Sequence, residues 1–247
     1  MTDNPQLVNH DVAWEAAHLT NRDIDRRKLH GQSAQQYSNL VGDIAVEAAE
    51  KIVKAEKIGD TDLLTGLPNR RAILKRLKQE LSAAKRYGKK LSIAFFDIDG
   101  FKQVNEAGGH DFGDFILKGL AKRMKQGVRA EDFLGRHGGD EFIMILPESD
   151  EFSALVAAER VLKKLNIEPT HGFKSFRLGG SFGIVTSDGK DKNSTLITEA
   201  DRLMKKAKLK SRSIRRQEAI LGCITVGNTI TTYNRAGESI SEEQFSN

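Results

Sequence analysis

The chain has a single cysteine, Cys223, in 247 residues. One thiol excludes an internal disulfide framework and any metal site built from several cysteines, and it suits a reducing compartment. Long apolar runs are missing as well. None approaches the ~20 residues that a membrane-spanning helix needs, and Met1 to His10 lack the basic-then-apolar order of a secretory signal. Aromatic residues make up only 6% of the chain and do not interleave with basic ones, which argues against a stacking surface for single-stranded nucleic acid. There are no internal repeats or low-complexity tracts. These absences lead to the expectation of a soluble, cytoplasmic protein without a membrane or nucleic-acid partner.

Apolar residues reach 38%, enough for a sizeable core, and the formal net charge is +5. The charge is uneven. Residues 61–213 hold 29 basic and 20 acidic side chains. A basic central region suits an anionic ligand such as a nucleotide, although a solvated basic surface accounts for the charge equally well.

From Gln32 to Lys57 the residues Val41, Ile44, Ala48, Ile52 and Ala55 recur at three- and four-residue steps. This predicts a helix whose narrow, alanine-rich stripe needs a packing partner, either its own domain or a twin in a dimer. After Gly59-Asp60 comes a turn-rich loop, Asp62 to Arg71. Asn69 is placed to cap a helix over 70–87 with Ile73, Leu74, Leu77 and Leu81 inward, stopped by Gly88. The run Leu91 to Asp97 reads as a buried central strand. A short helix over 101–107, ended by Gly108-Gly109, and a longer one over 112–126 follow, the latter carrying Phe115, Ile116, Leu120 and Met124. Residues 151–166 are helical in pattern, with Phe152, Leu155, Val156, Val161, Leu162 and Leu165 as the apolar set. A strand over 174–186 is interrupted at Gly179-Gly180, and 194–210 is a basic amphipathic helix. Ile220–Val226 and Thr229–Tyr233 flank Gly227-Asn228, a hairpin signal. The polar tail from Asn234 is expected to be loose. The order predicts an α+β sandwich, a mixed ferredoxin-like sheet covered by helices.

Residues 136–146, Arg-His-Gly-Gly-Asp-Glu-Phe-Ile-Met-Ile-Leu, stand out. Gly138-Gly139 reads as the two-residue turn of a hairpin with arms over 132–137 and 141–147. Asp140 and Glu141 then sit at its mouth. A second acidic pair, Asp97 and Asp99, ends the apolar run from Leu91. Carboxylates at the ends of two strands make a candidate site for divalent metal and phosphate.

Together these stretches resemble the GGDEF domain, the catalytic domain of diguanylate cyclases, over about residues 60–213. The resemblance rests on Leu64 to Arg70, Phe96-Asp97-Ile98-Asp99, Phe101-Lys102 with Asn105, Gly109-His110 with Gly113-Asp114, Gly138 to Phe142, Ser181 with Gly183, and Asp201 with Ala207-Lys208. It implies a catalytic domain over 59–216, an N-terminal helical extension over 1–58 that dimerises or relays a signal, and a C-terminal strand or hairpin with a polar tail over 217–247. The implied reaction condenses two GTP molecules into cyclic di-GMP and releases pyrophosphate. The implied cofactor is Mg²⁺ or Mn²⁺, two ions per site, and two copies must meet because each holds one GTP.

By position in the family pattern, Asp97, the Ile98 carbonyl and Asp140 are metal ligands, and Asp140 or Glu141 assists deprotonation of the attacking hydroxyl. Asn105 and Asp114 match guanine-reading positions. The backbone at Phe101 cradles phosphates, and Lys102, Lys208 and Arg212 neutralise their charge. Arg129 and Asp132, separated from Gly138 by five residues, have the Arg-x-x-Asp form of a product-binding inhibitory site, with Arg160 as a second arginine. The chain departs from the usual pattern at Gly100, Glu106, Gly179, Lys205 and Ser211, the last standing where glycine is usual. A different reading is a catalytically weak or inactive GGDEF domain that acts as a cyclic di-GMP receptor through Arg129 and Asp132.

Overall fold

The computed structural model describes residues 46–47, 59–214 and 220–245. Nearly all of the expected Gln32–Lys57 helix therefore lies outside the described residues; Val46 and Glu47 are helical. Helix α1, Arg70–Tyr87, begins where Asn69 accepts a hydrogen bond from the Ala72 amide and ends at Gly88 in the left-handed region. Strand β1, Leu91–Asp99, is buried at every position. It has helices on both sides of its sheet, which is why it reads as a continuous apolar run.

The remaining elements are α2 (Phe101–Lys125), β2 (Phe133–Gly138), β3 (Glu141–Pro147), α3 (Glu151–Leu165), β4 (Thr170–His171), β5 (Lys174–Ser175), β6 (Gly179–Ser187), α4 (Asn193–Ile214), β7 (Ile220–Val226), β8 (Thr229–Asn234) and β9 (Ser239–Gln244). Seven strands form one sheet in the order β2-β3-β1-β6-β7-β8-β9, and β4-β5 is a separate small hairpin. β1 lies antiparallel to β3 and β6, whereas β6 and β7 are parallel. This is the expected mixed sheet.

Strand alternation divides the core. Ala94, Phe96 and Ile98 point to the layer of α2 and α3, where Phe96 stacks on Phe182 with centroids 4.5 Å apart. Ile93 and Phe95 point to the layer of α1 and α4. Asp97 and Asp99 are in step with Ile93 and Phe95, so both carboxylates face α4.

Several expectations are corrected. Leu74, Phe115 and Phe152 are exposed, because each helix meets the sheet along one stripe and a neighbour one residue away is rotated by about 100°. The two helices expected over 101–126 are present, in contrast: Gly109, at φ 75° and ψ 178°, is non-helical and separates them within α2. The strand expected over 174–186 starts only at Gly179, and its first residues belong to the small hairpin. The tail after Asn234 is not loose: β9 pairs antiparallel with β8, and its Glu243 reaches Lys210 of α4. The hairpin turn is also one residue later than expected. Gly138 pairs with Glu141, after a register shift between Arg136 and Gly138, so Gly139-Asp140 makes the turn. Gly139 has φ 54°, a conformation open to glycine at little cost.

Candidate active site

The end of β1 turns into α2 through Gly100, which has φ 86°. A side chain would be strained at that angle, and the first turn of α2 has no side-chain cap there. The start of the helix borders the space beyond Asp99, as anion-binding helix starts border their ligands. That space is a cavity of about 490 Å³ lined by Asp97, Ile98, Phe101, Lys102, Asp140, Lys208 and Arg212, together with Asp99, Gly100, Gln103 and Glu106.

The β2–β3 turn is held against β1 by named bonds. The Ile98 amide donates to the Asp140 carbonyl at 3.1 Å. Arg136 Nε donates to the Gly139 carbonyl at 2.9 Å, and its Nη1 reaches Asp62 Oδ1 at 3.1 Å. Arg136 thus ties the acidic turn to the loop before α1. Burial works to raise the Asp62 pKa, but the Thr65 hydroxyl and amide and Arg136 outweigh it and hold it below its usual value. Arg136 sits two residues before the glycine pair, with His137 between, and that nearness was the only sign of this role in the sequence.

Lys208 of α4 lies over the same strand end, with Nζ 2.6 Å from Asp97 Oδ2. The other oxygen, Oδ1, is buried without a hydrogen-bond partner. Burial pushes the Asp97 carboxyl up to about 7, with repulsion from Asp140 and Asp99 adding to it and Lys208 opposing it. A buried acceptor that lacks a donor and stands close to a second carboxylate is the situation a divalent cation relieves. The expected donor set, two carboxylates and the Ile98 carbonyl, is all oxygen, which suits a hard cation such as Mg²⁺. No group of three or more His, Cys, Asp or Glu side chains able to hold a metal occurs among the described residues, so a carbonyl is needed to complete the set. Burial also raises the Glu141 pKa, with Asp140 and Asp201 nearby adding to it.

Two expected groups lie apart from the cavity lining. Asn105 lies across the Gly109 break against Gly113, the residue before Asp114: a Cβ on Gly113 would lie 1.8 Å from Asn105 Oδ1. Arg129, Asp132 and Arg160 form a third group. Asp132 Oδ2 accepts from the Arg129 amide at 2.8 Å and stands 3.9 Å from Arg160 Nη2. Arg160 Nε donates to the Gly127 carbonyl at 3.0 Å, while its Nη2 is buried without a hydrogen-bond partner. Asp99, the other carboxylate of the acidic pair that ends β1, shares a face with Asp97 and lines the same cavity, as the alternation Asp97-Ile98-Asp99 signals.

Residues 59–213 match the family model described as diguanylate cyclase, GGDEF domain. The chain belongs to the GGDEF family. It is 33% identical over 197 residues to the diguanylate cyclase DosC of Escherichia coli K12, covering 78% of this chain and 42% of DosC. It is 36% identical over 157 residues to the response regulator PleD of Caulobacter vibrioides, covering 62% of this chain and 35% of PleD. The chain thus spans less than half the length of these curated relatives. Among solved structures, the diguanylate cyclase SiaD of Pseudomonas aeruginosa, in complex with its activator SiaC, superposes with a TM-score of 0.62 at 28% identity, covering 83% of this chain and 82% of that one. The mixed sheet with helices on both faces is the α+β fold of GGDEF domains. Among the described residues, no helix is long and apolar enough to cross a membrane.

Proposed function

We propose that this GGDEF domain is a diguanylate cyclase that condenses two GTP molecules into cyclic di-GMP and two pyrophosphates. The observation that carries this reading is the junction of Asp97, Asp140 and Lys208 at one cavity, with Asp97 Oδ1 buried and unpartnered. Asp97, the Ile98 carbonyl and Asp140 would hold Mg²⁺ or Mn²⁺, two ions per site. Bound there, the metal supplies charge neutralisation at the α-phosphate and lowers the pKa of the attacking hydroxyl.

The residues of the chain do the rest. The amides at Phe101, with Lys102, Lys208 and Arg212, bind the phosphates of one GTP. Asn105 and Asp114 read the guanine edge, the carboxylate accepting from its N–H donors. The ribose 3′-oxygen of one GTP bonds to the α-phosphorus of the other as the bond to pyrophosphate breaks. The hydroxyl proton passes to Asp140 or Glu141. The raised pKa of Glu141 brings its basicity nearer to what proton removal at neutral pH requires.

One domain has one such cavity among its described residues, so two copies bring their GTP molecules face to face. Arg129, Asp132 and Arg160 bind cyclic di-GMP as a feedback site, and the unsatisfied Arg160 Nη2 supports this because it has a donor to offer. The receptor reading needs only that group of residues and gives the Asp97–Lys208 junction no task. Incubating the full chain with GTP and Mg²⁺ and separating the nucleotides tests the proposal. Wild type is expected to form cyclic di-GMP and Asp140→Ala to form none. Cyclic di-GMP binding by wild type with no product from GTP would establish the receptor instead.

A further inference from the structure

One buried carboxylate oxygen gathers hydroxyls from two different elements. Asp99 Oδ2 accepts from Ser181 Oγ of β6 at 2.9 Å and from Ser211 Oγ of α4 at 2.8 Å. Asp99 is 4% exposed, and both serines are fully buried. The reaction outlined above uses none of these three side chains.

Their placement relative to Lys208 gives them a task. Alternate residues of a strand share a face, and residues three apart on a helix share one too. Lys208 and Ser211 of α4 therefore meet Asp97 and Asp99 of β1 as two successive rungs. The rungs differ in stiffness. Lysine is long and has many rotamers, so its own ion pair leaves the helix free to shift. A serine hydroxyl has one heavy-atom torsion and a short reach, so its bond fixes where the turn bearing Ser211 stands on β1. The contacts on the outer side of α4, Lys210 with Glu243 and Lys206 over the Phe245 ring at 3.5 Å, are partly open to solvent and more easily screened. A glycine at this position would have no donor for Asp99.

We propose that Ser211 is a positioning residue. Its hydroxyl, anchored on Asp99, sets the register of α4 so that Lys208 and Arg212 reach the phosphates of GTP. The proposal rests on the reading that these two side chains bind phosphate.

The test compares full-length wild type with Ser211→Ala, Ser211→Thr and Ser181→Ala. Two readouts are used besides thermal melting: KM and kcat for GTP, and Mg²⁺-dependent binding of a GTP analogue with a methylene between its α- and β-phosphates. Ser211→Ala is expected to weaken analogue binding and raise KM roughly tenfold, the scale seen when a group that orients a binding residue is removed, with kcat changing much less. Ser211→Thr, which keeps the hydroxyl, restores most of the affinity. Ser181→Ala removes a bond to the same oxygen but no hydrogen bond made by α4. It is expected to lower the melting temperature with a much smaller effect on binding. Equal effects of Ser211→Ala and Ser181→Ala on affinity, or lower stability of Ser211→Ala with unchanged affinity, would overturn the proposal. Intact analogue binding by wild type without cyclic di-GMP formation would instead remove the cyclase reading, and the comparison of affinities would still decide the role of Ser211.

Discussion

Lys208 Nζ stands 2.6 Å from Asp97 Oδ2 while Asp97 Oδ1 is buried with no partner. One lysine thus satisfies one oxygen of the carboxylate and leaves the other without a donor. The arrangement couples α4 to the end of the central strand, and the following expectations turn on that coupling.

Replacing Lys208 by Met removes the cation from this pair and from the cavity. Cyclic di-GMP formation is expected to fall roughly ten- to a hundredfold in kcat/KM, the range of a charge-assisted hydrogen bond. Steady-state kinetics with GTP and Mg²⁺ measure it, and a change smaller than twofold would show that Lys208 does not contact substrate.

Asp97 is raised from 3.8 to about 7 by burial, with Lys208 opposing. Between those values the metal-free folded state keeps a proton that the unfolded state has lost. Stability of the metal-free protein is therefore expected to fall as pH rises through this window and to level off above about 7. Asp97→Asn should flatten the slope and stabilise the metal-free protein at the alkaline end by an amount on the order of a few kcal/mol. Urea denaturation in chelator across that range reads both effects. Mg²⁺, which requires the ionised carboxylate, should bind wild type more tightly as pH rises through the same window.

Gly183 of β6 lies directly under α4: a Cβ there would be 2.1 Å from the Ala200 carbonyl and 2.3 Å from the Met204 amide. Both are backbone atoms, so the helix must move. Gly183→Ala is expected to lose at least ~1–3 kcal/mol of stability, as overpacked cores do, and to lose GTP affinity as Lys208 leaves Asp97. Wild-type melting behaviour in this variant would contradict the close packing.

Arg160→Ala removes the guanidinium beside Asp132 Oδ2. Cyclic di-GMP binding, followed by calorimetry on the full chain, is expected to weaken roughly tenfold, the loss of one charge-assisted contact. Unchanged affinity would place the product elsewhere.

The sequence carried much of this in local form. Asn69 and Gly88 bounded α1 because a cap and a left-handed stop act within a few residues. The apolar run Leu91 to Phe96 marked a central strand because both its faces are covered. The hairpin turn was misplaced by one residue, since a bulge between Arg136 and Gly138 has no local signature in a glycine pair. Leu74 is expected inward, and Phe115 and Phe152 count among the apolar residues of their helices, but all three are exposed, since only packing tells which side of a helix meets the sheet. Strand β9 was missed because its sequence, Ser-Ile-Ser-Glu-Glu-Gln, is that of a solvated edge.

The sequence by itself therefore determined the chemistry available: paired carboxylates at two strand ends, a basic helix, an Arg-x-x-Asp group, and the order of elements that carries them. Tertiary structure alone decided which of these meet. Sheet order puts β6 beside β1, the close approach at Gly183 lays α4 across both, and only then do Lys208 reach Asp97 and Ser211 reach Asp99. The physical reason is range. Caps, turns and periodicity act over one or two turns of chain, whereas a contact between residues more than a hundred positions apart follows from the burial of whole faces.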